Sequence, residues 1–326
     1  MQKAKSSGIR AALLSALALG TAPILGKVAY TAGMNPYSLT AVRTLLAAAA
    51  LWLFFLSTRK NRKFIYIYPA GVLISAAAGT LNGLSSLLYY NGLTRIDAGV
   101  GQMLYSLYPL FVVIIRRLDG QLISNWTKAR LVMALTAVVL IVAPKGGEVD
   151  LAGAALMLGA GMMYAAHLAV SQRVLYEMPA PTVALYVLTS MTIVVLVAYV
   201  LNGASAIPAS GLPPTIMLAS ITVASRLLMF LGVKKLGSIQ TALLGVTEIL
   251  VTLVLSIFIL NEQLMARQWI GAAILIASLL LIIFEPGMGV SFSFRKKKPA
   301  EPADPKISPQ NSLAISSRSN DRSGSI

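Results

Sequence analysis

The sequence has 326 residues, of which 57% are hydrophobic and only 12% are charged, and its mean hydropathy is +0.76. A soluble domain carries about 25% charged residues, so a soluble globular protein is excluded and a membrane protein with many spans is predicted. The chain contains no cysteine, which excludes disulfides and thiolate-bound metals. The net charge of +16 comes from basic residues in short loops and in the tail, a pattern that indicates membrane topology and not nucleic-acid binding.

Apolar runs recur along nearly the whole chain. The first follows the basic segment "MQKAKSSGIR" and is about 20 residues long, which is typical of an uncleaved signal anchor. Because a span needs about 20 mostly apolar residues, we predict an all-α polytopic membrane protein with ten transmembrane helices. The predicted spans are residues 10–32, 37–57, 67–90, 97–117, 127–143, 151–172, 181–202, 213–232, 238–260 and 267–284.

The distribution of lysine and arginine predicts the orientation. With the N-terminus inside, the cytoplasmic segments hold 21 of the 27 basic residues, the opposite side holds three, and three lie within spans. Since basic loops stay in the cytoplasm, we expect a multi-pass protein of the cell (inner) membrane with both termini cytoplasmic. Residues 287–326, rich in Pro, Ser and Lys, are predicted to form a disordered basic cytoplasmic tail.

The second half of the chain repeats the order of the first. The stretch "GLTRIDAGVGQMLYSLYPLFVVII" (92–115) aligns with "GVKKLGSIQTALLGVTEILVTLVL" (232–255) at an offset of 140 residues. We therefore predict two five-helix repeats, 10–143 and 151–285, which must lie in opposite orientations because five is odd. Inverted repeats are typical of transporters that bind substrate near the midplane and expose it to each side in turn. A duplicated channel or enzyme is the alternative.

Three stretches resemble the EamA-type members of the drug/metabolite transporter superfamily. They are "NPYSLTAVRTLLAAAALW" (35–52), "YYNGLTRIDAGVGQMLYSLYPLFVVI" (89–114) and "LLGVTEILVTLVLSIFILNEQLMARQWIGAAILIASLLLI" (243–282). The resemblance covers about residues 10 to 285. It implies a facilitator or proton-linked carrier of small metabolites, often an exporter, and it does not define the substrate.

Two positions depart from the family pattern. Ile249 stands where a proline usually follows the glutamate of span 9, whereas the first repeat keeps its proline as Pro109. After span 4 the loop has Asp119 where the family often has a glutamate like Glu262. Because of the first departure, the sequence does not decide whether span 9 is kinked. Because of the second, it does not decide the role of the loop after span 4.

Glu248 is a single carboxylate in the middle of a very apolar span. It lies about 15 Å from the nearer boundary, at the centre of a hydrocarbon layer about 30 Å thick. A side chain at that depth cannot reach the aqueous interface, so we predict that Glu248 faces the substrate path as a substrate contact, a proton site or the partner of Arg226. A structural hydrogen bond to a neighbouring helix is the alternative.

Helical spacing aligns further polar residues with this carboxylate. We place spans 3, 4, 8 and 9 around a cavity, and the nearly uniform spans 5 and 10 outside, against lipid or a second subunit. Lys27 and Arg43 have snorkelling to the interface as their alternative role. The predicted substrate-pathway residues are Glu248, Arg226, Tyr105, Tyr108, Asn82, Ser86, Tyr89, Thr241, Arg43 and Lys27.

The predicted function is secondary transport of a small organic metabolite or drug by alternating access at this midplane site, in the direction of export. No cofactor, metal or catalytic residue is predicted, since the chain has one histidine and no HExxH motif, Ser–His pair or paired acidic residues at metal spacing. The expected partners are a small-molecule substrate and membrane lipid, with proton coupling and a homodimer through spans 5 and 10 left open. A lipid flippase of similar architecture is the main alternative, ahead of an intramembrane enzyme.

Overall fold

The computed structural model describes residues 2–118, 125–142, 150–245 and 247–281. Within these ranges the chain is helical apart from short turns, and the predicted all-α class is confirmed. The predicted tail, 287–326, and Asp119 lie outside the described residues. The α-helices are α1 Gln2–Gly20, α2 Ala22–Thr31, α3 Pro36–Ser57, α4 Pro69–Leu93, α5 Ala98–Tyr105, α6 Tyr108–Leu118, α7 Asn125–Val142, α8 Leu151–Glu177, α9 Ala180–Leu201, α10 Leu212–Leu236, α11 Ser238–Leu244, α12 Thr247–Leu260 and α13 Ala266–Leu280.

Seven helical segments in the described part of the chain are long and apolar enough to cross a membrane. They are Ser6–Thr31, Pro36–Ser57, Pro69–Leu93, Leu151–Glu177, Ala180–Leu201, Ala209–Leu236 and Gln240–Leu260. A multi-pass membrane protein is therefore confirmed, whereas the count of ten spans stays a prediction. The other three predicted spans correspond to α5 with α6, to α7 and to α13, which are interrupted or shorter than the seven.

Three of the predicted spans are interrupted near their middle. The break between α1 and α2 precedes Pro23, and the break between α5 and α6 precedes Pro109. Proline is tolerated at the start of a helix because the first N–H groups have no intrahelical acceptor. Between α11 and α12 the chain turns at Gly245 without a proline, and the Glu248 N–H donates to the Gly245 carbonyl at 2.8 Å. Ile249 in place of proline therefore does not remove the break.

Polar caps begin two of the long helices. Asn35 precedes α3, and its Oδ1 accepts from the backbone N–H of Ser38 at 2.7 Å. Asp150 precedes α8 and accepts from the Gly153 N–H at 2.7 Å. This hydrogen bond, aided by an ion pair with Arg95 at 3.3 Å, holds the pKa of Asp150 below its ordinary value. Both caps satisfy N–H groups that the first helical turn leaves free.

Small residues allow α4 to pack closely against two helices of the predicted second repeat. A Cβ atom added at Gly79 would lie 2.5 Å from the Val187 carbonyl oxygen of α9. Ser190 of α9 donates to the Ala76 carbonyl at 2.8 Å, and Ser85 donates to the Ala160 carbonyl of α8 at 2.8 Å. Helices approach this closely in membranes only where the contact positions are small. Helices from the two halves are therefore in direct contact along α4.

The outer surface of the helices is apolar. Leu53, Leu73, Leu201 and Phe258 are each more than two-thirds exposed, a distribution that suits lipid and not water. Helices α7 and α13, which correspond to predicted spans 5 and 10, pack against each other, and Gly271 brings α13 close to the Ala137 carbonyl of α7. A homodimer through these helices stays a prediction.

Candidate functional site

A polar cavity of about 60 Å³ lies in the interior of the helices. Eight helices contribute to its wall: α1, α2, α3, α4, α5, α8, α10 and α12. The lining residues are Leu19, Ala22, Arg43, Asn82, Ser85, Ser86, Tyr89, Tyr90, Gln102, Tyr105, Tyr164, Arg226 and Glu248. Three of these carry a formal charge, which is costly so deep in an apolar protein and indicates a functional site.

Arg43 projects into the cavity from α3 and is 7% exposed. Its Nη2 donates to Ser86 Oγ at 2.5 Å and its Nη1 to the Tyr90 hydroxyl at 3.4 Å. The guanidinium also lies over the Tyr90 ring, 4.7 Å from its centre, where the face of the ring attracts a cation. Arg43 therefore lines the cavity with its guanidinium buried inside the protein.

Arg226 enters the same cavity from α10 and is 8% exposed. Its Nη2 donates to Asn82 Oδ1 at 2.9 Å, and its guanidinium carbon lies 5.6 Å from the centre of the Tyr164 ring. The same asparagine, on α4, directs its amide nitrogen at Met191 Sδ, 2.9 Å away. Both arginines are thus held by neutral partners.

Glu248 is 5% exposed and stands in the first turn of α12, beside the break that follows α11. Gln102 Nε2 of α5 donates to Glu248 Oε2 at 3.3 Å, and the Tyr89 hydroxyl donates to Gln102 Oε1 at 2.9 Å. The first turn of a helix favours a negative charge because its unpaired N–H groups give the helix N-terminus a partial positive charge. Glu248 is therefore oriented by a chain of neutral side chains.

The carboxylate and the two arginines do not form ion pairs. Among the described residues, the one pair of opposite charges within 4.0 Å is Arg95 with Asp150, at the start of α8. Arg226 and Glu248 line one cavity without an ion pair between them, so of the three roles left open for Glu248, pairing with Arg226 is not present in this structure.

Aromatic rings cover much of the remaining wall. Tyr89 and Tyr105 have their ring centres 4.9 Å apart, and Tyr105 lies 5.5 Å from Tyr164. Tyr108, the first residue of α6, continues this cluster, with its ring 4.9 Å from that of Tyr164. Tyrosine combines an apolar face with a hydroxyl, so the wall can contact an apolar group and a polar group of one solute.

A second, much smaller cavity of about 10 Å³ adjoins Glu248 on the side of α11. Tyr108 and Thr241 line it together with Gly245, Tyr164 and Glu248. A Cβ atom added at Gly245 would lie 1.7 Å from the Tyr108 hydroxyl oxygen, so only glycine permits this approach of α11 to α6. Glu248 and Tyr164 line both cavities.

The structure brings most of the predicted pathway residues together. Seven of the ten line the larger cavity, namely Glu248, Arg226, Tyr105, Asn82, Ser86, Tyr89 and Arg43, and Tyr108 and Thr241 line the smaller one. Lys27 on α2 lines neither cavity; the carboxylates of Glu262 and Asp97 interact with it electrostatically. The placement of predicted spans 3, 4, 8 and 9 around the cavity was incomplete, because spans 1, 2 and 6 also contribute.

Sequence reasoning missed four polar residues of the wall, namely Ser85, Tyr90, Gln102 and Tyr164. Gln102 precedes Tyr105 by three residues and shares its helical face, a signal that was available. Tyr164 lies three residues before His167 on the predicted span 6, and the sequence holds no comparable signal for it. His167 itself is fully buried and lines neither cavity; its Nδ1 lies 2.9 Å from the Ala78 carbonyl oxygen.

Glu262, which follows α12, binds the start of α5. Its two carboxylate oxygens accept from the backbone N–H groups of Ala98 at 2.6 Å and Gly99 at 3.0 Å. A carboxylate at a helix N-terminus satisfies free donors and interacts favourably with the helix dipole. The segment after α12 is thereby tied to the helix that carries Gln102 and Tyr105.

We expect Glu262→Gln to fold but to lower the free energy of unfolding by about 0.5–2 kcal/mol, the usual range for a lost helix cap. Thermal unfolding of the detergent-purified protein measures the change, and hydrogen exchange should show faster exchange of the Ala98 and Gly99 amides. Glu177→Gln, at an exposed carboxylate that ends α8, is the control. Unchanged exchange at the two amides would contradict the capping role.

Comparison with known proteins supports this architecture. The profile of the EamA-like transporter family matches residues 6–143 and 151–284, one match in each predicted repeat. A crystal structure of a protein with 19% sequence identity superposes with a TM-score of 0.61, covering 85% of this chain and 96% of that one, and shows a shared fold. No curated protein sequence matches the chain. Since the family profile accounts for both halves, the chain belongs to the EamA-like transporter family.

Proposed function

We propose that the protein is a secondary transporter that exports a small organic solute by alternating access at the cavity between the two halves. The observation that carries this proposal is the buried cavity with two arginines and one carboxylate, which no ion pair neutralises. Family membership supports transport of small molecules across a membrane. The direction of transport follows the resemblance to EamA-type exporters.

The positions of two helix breaks support an inverted repeat of five spans in each half. Tyr108 is the first residue of α6 and Glu248 is the second residue of α12, and they are 140 residues apart, the offset of the predicted repeat. Discontinuous helices at corresponding positions of two repeats are typical of secondary transporters, whose binding sites lie at the breaks. Glu248, Gln102 and Tyr105 line the cavity beside these breaks.

The size of the cavity supports a cycle with more than one conformation. A volume of about 60 Å³ holds a few water molecules, whereas sites for drug-sized ligands span about 300–1,000 Å³. The site must therefore widen to admit a metabolite. Rocking of one half against the other, with the breaks as hinges, would widen it towards one side at a time.

Reconstitution tests the proposed function. Purified protein in proteoliposomes, preloaded with unlabelled solute, should accumulate the same radiolabelled solute by exchange, while protein-free vesicles do not. A fluorescent phospholipid assayed in the same vesicles should stay in its original leaflet. Scrambling of the lipid without exchange of any soluble compound would favour the flippase and refute the transporter.

The proposed topology places the protein in the cell (inner) membrane with both termini in the cytoplasm. Because the chain has no cysteine, single-cysteine variants are free of background. Lys60→Cys, in the exposed turn after α3, should resist an impermeant thiol reagent in intact cells, while Ala206→Cys, in the exposed segment after α9, should react. Labelling of position 60 in sealed cells, or protection of position 206, would reverse the orientation.

A further inference from the structure

We propose that the cavity binds organic monoanions, and that a substrate carboxylate is held by Arg43 and Arg226. The inference rests on the proposed transport function and names the substrate class of the same site. Two observations carry it: the net charge of the cavity wall, and the unused hydrogen-bond donors of the two buried arginines.

The wall of the cavity is positively charged in either protonation state of its carboxylate. The charged residues that line it are Arg43, Arg226 and Glu248, and tyrosine phenols are neutral at pH 7. The wall therefore carries a net charge of +1 with Glu248 ionised and +2 with Glu248 protonated. An anion compensates this charge, whereas a cation would add a third positive group to a buried site.

Both arginines retain a donor that the protein does not use. Arg43 and Arg226 are more than nine-tenths buried, and the Nε atom of each has no hydrogen-bond partner among the described residues. Their Nη atoms bind hydroxyl, amide and thioether groups, and none of these is charged. An unsatisfied buried donor is costly, and a guanidinium edge matches the two oxygens of a carboxylate.

The rest of the wall suits the remainder of such a solute. Tyr89, Tyr105 and Tyr164 form a connected set of rings beside the arginines, and they can cover an aromatic or aliphatic group. A solute with one carboxylate and one apolar body therefore satisfies both parts of the site. An anion that crosses without a proton is driven outward by the inside-negative membrane potential, which agrees with the proposed export.

Matched solutes of different charge test this inference. The probes are phenylacetate, phenylacetamide and 2-phenylethylamine, together with hexanoate, hexanamide and hexylamine, so that each set shares one body and differs in charge. Two measurements are made on each probe: thermal unfolding of the purified full-length protein, since a ligand of the folded state raises its stability, and exchange in proteoliposomes. We expect the carboxylates to raise the unfolding temperature and to exchange, and the amides and amines to do neither.

Variants connect the response to the two arginines. Arg43→Gln and Arg226→Gln should each weaken the apparent affinity for the carboxylates by about tenfold or more, because a charged hydrogen bond is lost. Without ligand, both variants should unfold at the wild-type temperature or above it, because each removes a buried charge that has no counter-ion. A purely structural arginine would instead be needed for stability. Arg173→Gln, at an exposed position on α8, is the control that should leave binding unchanged.

The outcomes separate this inference from the proposed function. Exchange of the amines or amides in preference to the carboxylates would overturn the monoanion and leave the transporter standing. Carboxylate binding that survives in both Arg→Gln variants would overturn the assigned site. Failure of both carboxylates to stabilise the protein would also overturn the inference, whereas lipid scrambling without solute exchange would overturn the transporter itself.

Discussion

Glu248→Gln is expected to yield a protein that inserts and folds but loses most of its net transport. The substitution is nearly isosteric, and glutamine can still accept from Gln102 Nε2 through its amide oxygen. Glu248 forms no ion pair within 4.0 Å, so its replacement takes no partner away from an arginine or lysine. The stability of the variant should therefore stay near that of the wild type. The loss should therefore appear in flux and not in the amount of folded protein.

The pH dependence of this variant distinguishes the roles of the carboxylate. Protonation of Glu248 raises the charge of the wall from +1 to +2, so an anion should bind more tightly to the wild type as the pH falls through the titration of this group. Glutamine mimics the protonated form, and the variant should bind the carboxylate probes at least as tightly as the wild type, with no pH dependence from this residue. If Glu248 carries a coupling proton, exchange of solute for solute should be spared while net flux loses its pH dependence, since exchange needs no net proton movement.

Flux assays in proteoliposomes over a range of pH values provide the measurement. Glu177→Gln, which neutralises an exposed carboxylate outside both cavities, should behave as the wild type. Arg226→Gln should change the unfolding temperature equally in the wild type and in Glu248→Gln, because the two side chains do not pair. Wild-type flux with unaltered pH dependence in Glu248→Gln would leave this residue with a structural hydrogen bond alone.

Gly79→Ala is expected to destabilise the fold, although alanine usually favours a helix over glycine by about 1 kcal/mol. The added methyl group would lie 2.5 Å from the Val187 carbonyl oxygen and 2.6 Å from Ser190 Cβ. A backbone oxygen cannot move aside without displacing α9, and such overpacking costs about 1–3 kcal/mol. The close contact of α4 with α9 should therefore loosen.

Gly159→Ala is the matched control for this substitution. It lies in the interior of α8, and among the described residues the one atom within 4 Å of its added Cβ is Leu88 Cδ1, at 3.5 Å. That is an ordinary contact, so the control should be neutral or slightly stabilising. Thermal unfolding in the same detergent compares the two. Equal unfolding temperatures would show that α4 and α9 do not pack as closely as described.

The positions of the long helices could be predicted from the sequence because lipid imposes one simple requirement. Backbone N–H and C=O groups in the hydrocarbon find no water to pair with, and a helix pairs all of them within its own segment. A long apolar run such as 181–202 therefore predicts a helix, here Ala180–Leu201. The order of the runs also sufficed to identify the family.

The charged residues of the site could be predicted individually, because a charged side chain inside an apolar run is conspicuous without any structure. Glu248, Arg226 and Arg43 were identified in this way. Their mutual geometry could not be predicted. Whether Arg226 contacts Glu248 or Asn82 depends on how α10, α12 and α4 are rotated and tilted against one another. The hydropathy of the sequence does not determine the rotation or the tilt.

The sequence by itself thus identified the seven long apolar helices and the charged side chains buried among them, while the count of ten spans and the orientation stay predictions. The tertiary structure alone revealed the break after α11, which no proline marks, and the close approach of the Tyr108 hydroxyl to Gly245 beside it. It alone brought Gln102 to Glu248, 146 residues away, and Tyr164 to the wall. The physical reason is that burial in lipid acts on each segment separately, whereas packing and hydrogen bonding act between segments that are distant in the chain.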